Sequence, residues 1–159
     1  MPTIHLETRI RTSDIHRVFD LVRSIDLHII TTAKTNERAI AGKTSGLISL
    51  GETVTWRAKH LGFTQELTSI ITDFDPPTFF ADEMKEGIFH SFRHEHHLSQ
   101  ENEHVIIRDI FTYTSPLGWL GRLADFLFLK KYMKTLLEER NQIIKEYAET
   151  EKWKQVLPT

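Results

Sequence analysis

The chain has 159 residues and no cysteine. That excludes a disulfide framework, a thiolate zinc site and a cysteine nucleophile, and it fits a reducing cytoplasm. An excess of charge of one sign is also missing. The formal net charge is −2, which gives no global field toward nucleic acid or an anionic membrane. No apolar run approaches the ~18 residues that a membrane span requires. The nearest, WLGRLADFLFL, is interrupted by Arg122 and Asp125. The opening stretch MPTIHLETRI alternates polar and apolar residues at once, so no signal peptide is expected. There is no Gly-rich phosphate loop and no Ser or Thr in an elbow motif, so neither phosphate chemistry nor a Ser nucleophile has a carrier. Length alone argues for one domain, 1–159, able to bury roughly two-thirds of its unfolded surface. The expectation is a cytoplasmic protein with no nucleic-acid partner and no stable membrane insertion.

What is present is mostly a period of two. Ile4, Leu6, Thr8 and Ile10 alternate with His5, Glu7, Arg9 and Arg11, which predicts a half-buried strand. Ser13 and Asp14 offer a helix N-cap, and Ile15, Val18, Phe19 and Val22 follow at helical spacing. A short helix continues to about Ile30, and a weak strand lies near Arg38–Ala41. From Glu52 alternation resumes, with a tight turn at Leu61-Gly62 and a stop at Asp75-Pro76-Pro77. Strands at 78–85, 88–98 and 104–114 follow, and the SPLG stretch at 115–118 breaks the pattern. From Trp119 to about Thr150 the chain reads as one helix. A curved antiparallel sheet with one face on a long C-terminal helix buries all these apolar faces, an α+β architecture.

The unusual strand is FRHEHHL, Phe92 to Leu98. Side chains alternate across a strand, so His90, Phe92, His94, His96 and Leu98 share one face. Phe89, Ser91, Arg93, Glu95 and His97 share the other. The first set carries the large apolar members and is expected to face the helix. With QENE as a four-residue loop, Leu98 pairs with Val105, His96 with Ile107, His94 with Asp109, Phe92 with Phe111 and His90 with Tyr113. A slip by one residue would turn Arg108 inward and is strongly penalised. This register puts His94 across from Asp109 with Cβ atoms about 5 Å apart. The same logic turns Trp56, His60 and Leu67 inward. His90 then neighbours Glu83 or Asp82, depending on the preceding turn. An empty void of ~300 Å³ would cost roughly 7 kcal/mol, so a cavity there is more tolerable where polar groups hold water until a ligand arrives.

The order of elements resembles the START-like (SRPBCC) superfamily with its helix-grip fold. The resemblance covers about residues 3–150. It rests on TWRAKHLGFTQELTSIITDFDPP, on GIFHSFRHEHHL, and on IIRDIFTYTSPLGWLGRLADFLFLKKYMKTLLEERN. These look like a bacterial ligand-binding branch in which an aromatic-rich strand carries His-x-His and the next carries Asp and an aromatic. His94, His96, Asp109 and Tyr113 match that wording. The resemblance implies a seven-stranded curved antiparallel sheet wrapped around the long C-terminal helix, with two short helices after strand 1. It also implies a cavity between sheet and helix.

The expected function is binding of a hydrophobic or aromatic small molecule, lipid or polyketide-like. Trp56, Leu67, Phe92, Phe111, Met133 and Leu137 supply apolar walls; His60, His90, His94, His96, Asp109 and Tyr113 orient a polar group or hold water. The alternative is a cyclase or dehydratase using His94 and Asp109 as an acid–base pair. His94, His96 and Asp109 would also make a three-ligand metal site, but only a solvated turn follows, so no metal or other cofactor is expected. If His94 is salt-linked to Asp109 its pKa should lie above ~6.5; a depressed value would mean that burial dominates. Lys130, Lys131 and Lys134 are read as a solvated helix face, and WLGRLADFLFL as core or a lid on the pocket. Arg140 is expected to snorkel to the helix edge.

Overall fold

The computed structural model describes residues 1–115 and 118–158, and of Asp125 and Phe126 the backbone alone. Seven strands form one antiparallel sheet: β1 (Thr3–Arg11), β2 (Arg38–Gly42), β3 (Thr53–His60), β4 (Phe63–Asp75), β5 (Phe79–Glu86), β6 (Ser91–Glu101) and β7 (His104–Thr114). Their order is β1-β7-β6-β5-β4-β3-β2. Two short helices follow β1. Helix α1 (Ile15–Val22) is capped by Asp14, whose side chain accepts from the Arg17 amide. Helix α2 (Ile25–Thr31) is capped by Ser24, which accepts from the Leu27 amide.

The C-terminal helix is not uniform. Helix α3 (Gly118–Ala124) runs through a π-helical turn, Asp125–Leu129, into α4 (Lys130–Glu149). The expected break at 115–118 includes Pro116 and Leu117, which lie outside the described residues. No helix among the described residues is long and apolar enough to cross a membrane. The apolar stretch before α4 is less covered than expected: Trp119, Leu120, Leu123, Leu127 and Phe128 are exposed.

Helix α4 buries Leu137, Arg140, Asn141, Ile144, Tyr147 and Ala148, a stripe at helical spacing. On β6 the buried residues are Phe92, His94, His96 and Leu98. The outer face is charged: Arg93 bridges Asp73 (2.8 Å), Glu83 (3.2 Å) and Glu95 (3.0 Å).

The β6–β7 register differs from expectation by two residues. The turn is only Asn102-Glu103, with Glu101 opposite His104, and Asn102 takes φ 57°. Asn tolerates this left-handed conformation better than most residues. Gln100 Nε2 ties the turn by donating to the carbonyls of Asn102 and His104. Consequently His96 faces Asp109, His94 faces Phe111 and Phe92 faces Tyr113. A two-residue shift leaves every side chain on the same face, so the inward set survives except at its end. His90 precedes β6 in the Gly87–His90 bend and is exposed; only its amide joins the sheet, donating to the Thr114 carbonyl (2.9 Å). Neither Glu83 nor Asp82 neighbours it, for they pair with Arg93 and His94.

Between two apolar clusters lies a polar stratum. One cluster contains Ile10, Leu98, Val105, Ile107 and Ile144. The other contains Ile4, Phe92, Phe111, Tyr113 and Leu137. Along each of β1, β6, β7 and α4 buried polar residues lie between those members: Thr8, His94 with His96, Asp109, and Arg140 with Asn141. Four elements thus contribute one polar layer at the same height.

Candidate functional site

Asp109 is the hub of that layer. It is 1% exposed. Its Oδ1 accepts from His94 Nε2 at 2.8 Å, across the diagonal of the strand pair, and its Oδ2 accepts from Asn141 Nδ2 at 2.7 Å. Asn141 Nδ2 also lies 3.0 Å from Thr8 Oγ1, and Asn141 Oδ1 accepts from Arg140 Nη1 at 2.9 Å. Arg140 therefore does not snorkel. It is 8% exposed, donates through Nη2 to the Val22 carbonyl, and sits 3.9 Å from Asp109 Oδ1.

His96 lies between two carboxylates. Nε2 is 2.9 Å from Asp82 Oδ1, and Nδ1 is 3.2 Å from Asp109 Oδ1, at ion-pair distance but out of hydrogen-bond alignment. Its ring stacks on Phe80 (4.2 Å, 14°) and lies 3.9 Å from the His94 ring.

These surroundings drive the two imidazoles apart. Burial, with the neighbouring His96 charge, pushes His94 down to about 4 despite its bond to Asp109. Burial dominates over the salt link, and His94 is neutral at neutral pH. Burial also pulls His96 downward, yet the attraction of the nearby Asp109 carboxylate and the bond to Asp82 together outweigh it, and the net shift is upward. Desolvation opposes ionisation of Asp109, but its bond to His94 and the closeness of His96 hold it well below the usual carboxylate range. Asp82 is lowered in the same way, burial being outweighed by the His96 bond and by the charges of His96, His94 and Arg140. With Asp109 ionised, His94 must donate through Nε2, which leaves Nδ1 a lone pair.

The layer forms one end of a cavity of about 380 Å³ between sheet and α4, partly open to solvent. Trp56, Leu67, Ile71, Phe80, Phe92, Phe111, Met133 and Leu137 are among its apolar walls, and Asp82, His94, His96 and Arg140 line the polar end. Of the residues expected to bind, Trp56, His60, Leu67, Phe92, His94, His96, Phe111, Met133 and Leu137 are brought to this wall. Asp109 stands behind the two histidines. Tyr113 is buried between the Phe89 (5.4 Å) and Phe111 (5.7 Å) rings, behind the wall. His90 is elsewhere.

A second polar group, not foreseen, lines the cavity nearer β3. His28 of α2 lies against Trp56 (4.1 Å between centroids) and bonds Glu37 Oε1 at 2.7 Å. His60 Nδ1 meets Tyr132 Oη of α4 at 3.0 Å. All four residues line the cavity. Burial raises the Glu37 carboxyl, but the charge and bond of His28, with the His60 charge, prevail and its pKa is lowered. Burial lowers that of His60, against the pull of Glu37.

Asp82, His94 and His96 each offer a donor atom within 4.8 Å of the others, compact enough for a cation. Asp82, rather than Asp109, holds the third place. A cation would have to part His96 from Asp82, displace the proton shared there, and sit where the Arg140 charge is already felt. As it stands the layer sets two carboxylates against the Arg140 charge and the His96 imidazole, whose pKa is raised between them.

No family model matches the chain, and no curated protein matches it. Solved structures do. The protein TTHA0849 from Thermus thermophilus superposes with a TM-score of 0.75 at 17% identity, over 92% of this chain and 97% of that one. Major latex-like protein 151 from Panax ginseng gives 0.68 at 16%, over 92% and 97%. The di-domain ARO/CYC StfQ of the steffimycin biosynthetic pathway gives 0.70 at 11%, over 92% of this chain and 51% of its own. At these identities the likeness establishes the fold: the helix-grip fold of START-like (SRPBCC) proteins.

Proposed function

We propose that this protein binds a hydrophobic or aromatic small molecule in the cavity between the sheet and the C-terminal helix. The observation that carries the reading is the cavity itself. A cavity of about 380 Å³ that is partly open to solvent and walled mainly by apolar side chains keeps water against surface that a ligand would release, at roughly 25 cal/mol per Å² covered. A fold keeps such a volume where something fills it. Aromatic walls with a few convergent polar groups are the makeup of a small-molecule site. That one structural neighbour carries ARO/CYC in its name agrees with an aromatic or polyketide-like occupant.

The acid–base alternative is the weaker reading. With its pKa pushed down to about 4, His94 is a poor proton acceptor near pH 7, where an efficient general base has a pKa near the operating pH. A neutral imidazole with a free lone pair serves instead to accept a hydrogen bond from a ligand. Mass spectrometry of the purified protein under non-denaturing conditions tests the reading: a co-purified small molecule, lost on denaturation, is expected. A protein that neither carries a molecule nor takes up any apolar probe contradicts it.

A further inference from the structure

Two carboxylates reach the cavity wall, and they are arranged alike. At one end Asp82 holds His96 through Oδ1; at the other Glu37 holds His28 through Oε1. In each, the second oxygen has no partner among the described residues. Both residues line the cavity, and the wall between them is apolar. The strand ladder sets their spacing. His28 lies on Trp56, which pairs with Leu67 of β4, whereas Asp82 pairs with Ile71 of the same strand. Leu67 and Ile71 are four residues apart, roughly 13 Å along β4, and β3 and β5 flank it at roughly 5 Å on either side. About 13 Å along and 10 Å across put Trp56 and Asp82 roughly 16 Å apart, with Glu37 reached from Trp56 through His28.

From this we infer that the ligand is an elongated apolar molecule bearing a hydroxyl at each end, one for each carboxylate. The inference rests on the binding reading above and narrows it to a chemical class. A hydroxyl satisfies both ends because it donates and accepts. At the inner end it donates to Asp82 or to His94 Nδ1 and accepts from Arg140, which lines the same end. At the outer end it donates to Glu37 and accepts from Tyr132 or His60. A ketone has no proton to give either carboxylate. A ligand carboxylate would meet Asp82 or Glu37 as a like charge, at a cost its bond to Arg140 must first overcome.

A matched set of trans-stilbenes tests this by displacement of the uncharged fluorophore N-phenyl-1-naphthylamine. The 4,4′-dihydroxy compound should bind about tenfold more tightly than the 4-hydroxy compound, and that one about tenfold more tightly than stilbene, one charged hydrogen bond each. The 4,4′-dicarboxylate should bind weakest. In Glu37→Gln the gain from the second hydroxyl should shrink. If stilbene displaces the fluorophore but the hydroxyls add nothing, or the dicarboxylate binds best, the two-hydroxyl inference is overturned and the cavity reading stands. If neither fluorophore nor stilbene binds, the cavity reading itself fails. The ligand series on the unmodified protein decides the matter even where the variant folds poorly.

Discussion

Replacing Asp109 by alanine should be among the most damaging single substitutions in the molecule. The carboxylate accepts from His94 and Asn141, lies 3.2 Å from His96 Nδ1 and 3.9 Å from Arg140. Its removal leaves buried donors unpaired on a strand and a helix and takes away one of the two carboxylates beside the His96 imidazole. Breaking a buried, hydrogen-bonded charge network by deleting one partner costs roughly 3–5 kcal/mol. In a chain of this size each kcal/mol lowers Tm by about 2–4 °C, so a fall of roughly 6–20 °C is expected by calorimetry, with a matching drop in urea midpoint. The layer also joins β1, β6, β7 and α4, so a double-mutant cycle of Asp109→Ala with His94→Phe should show a coupling of about 0.5–3 kcal/mol. A loss below about 1 kcal/mol, the size of an ordinary substitution, would refute the hub role.

The two histidines predict a stability maximum near neutral pH. His94 is depressed in the fold, so its contribution is complete above the unfolded value near 6.5 and is lost as pH falls toward about 4, a total of roughly 3 kcal/mol by linkage. His96 is raised, so its contribution is complete below about 6.5 and is lost as pH rises through its higher folded value. Denaturant midpoints between pH 4 and 9 should trace both limbs, and His94→Phe should flatten the acid one; a midpoint that climbs steadily toward pH 4 would contradict this. The layer pairs its carboxylates without a metal in this account, so EDTA should leave Tm and probe affinity unchanged; a fall of several degrees, restored by Zn²⁺ or Co²⁺, would place a cation on Asp82, His94 and His96 instead.

The sheet and the inward face of β6 are legible in the sequence because alternation sorts side chains by face and because Arg93 and Arg108 cannot both be buried. What alternation cannot sense is a shift of two residues, which keeps every face and changes every partner. That is why the pattern sets His94 directly opposite Asp109, whereas the fold joins them on the diagonal. Parity is equally silent on where a strand begins, so it counts His90 inside although the chain leaves the sheet at Gly87. Asp82 shares parity with the buried Phe80, a signal that places it on the inner face. His28 and Glu37 give no such signal, for a helix and a loop bring them together only in the folded chain. A lone arginine on an apolar stripe usually snorkels, which is the basis for expecting Arg140 at the edge; adjacent Asn141 and the Val22 carbonyl supply the partners that keep it buried.

The most direct measurement fills the cavity from within. Ala58 is buried on β3 and lines the wall beside Trp56, so Ala58→Phe projects a ring into the space assigned to the ligand. Titration with N-phenyl-1-naphthylamine should then show binding to the unmodified protein and at least tenfold weaker binding to the variant, with Tm retained. Equal affinity in the two proteins, both folded, would mean that the probe sits elsewhere and that this cavity is not the binding site.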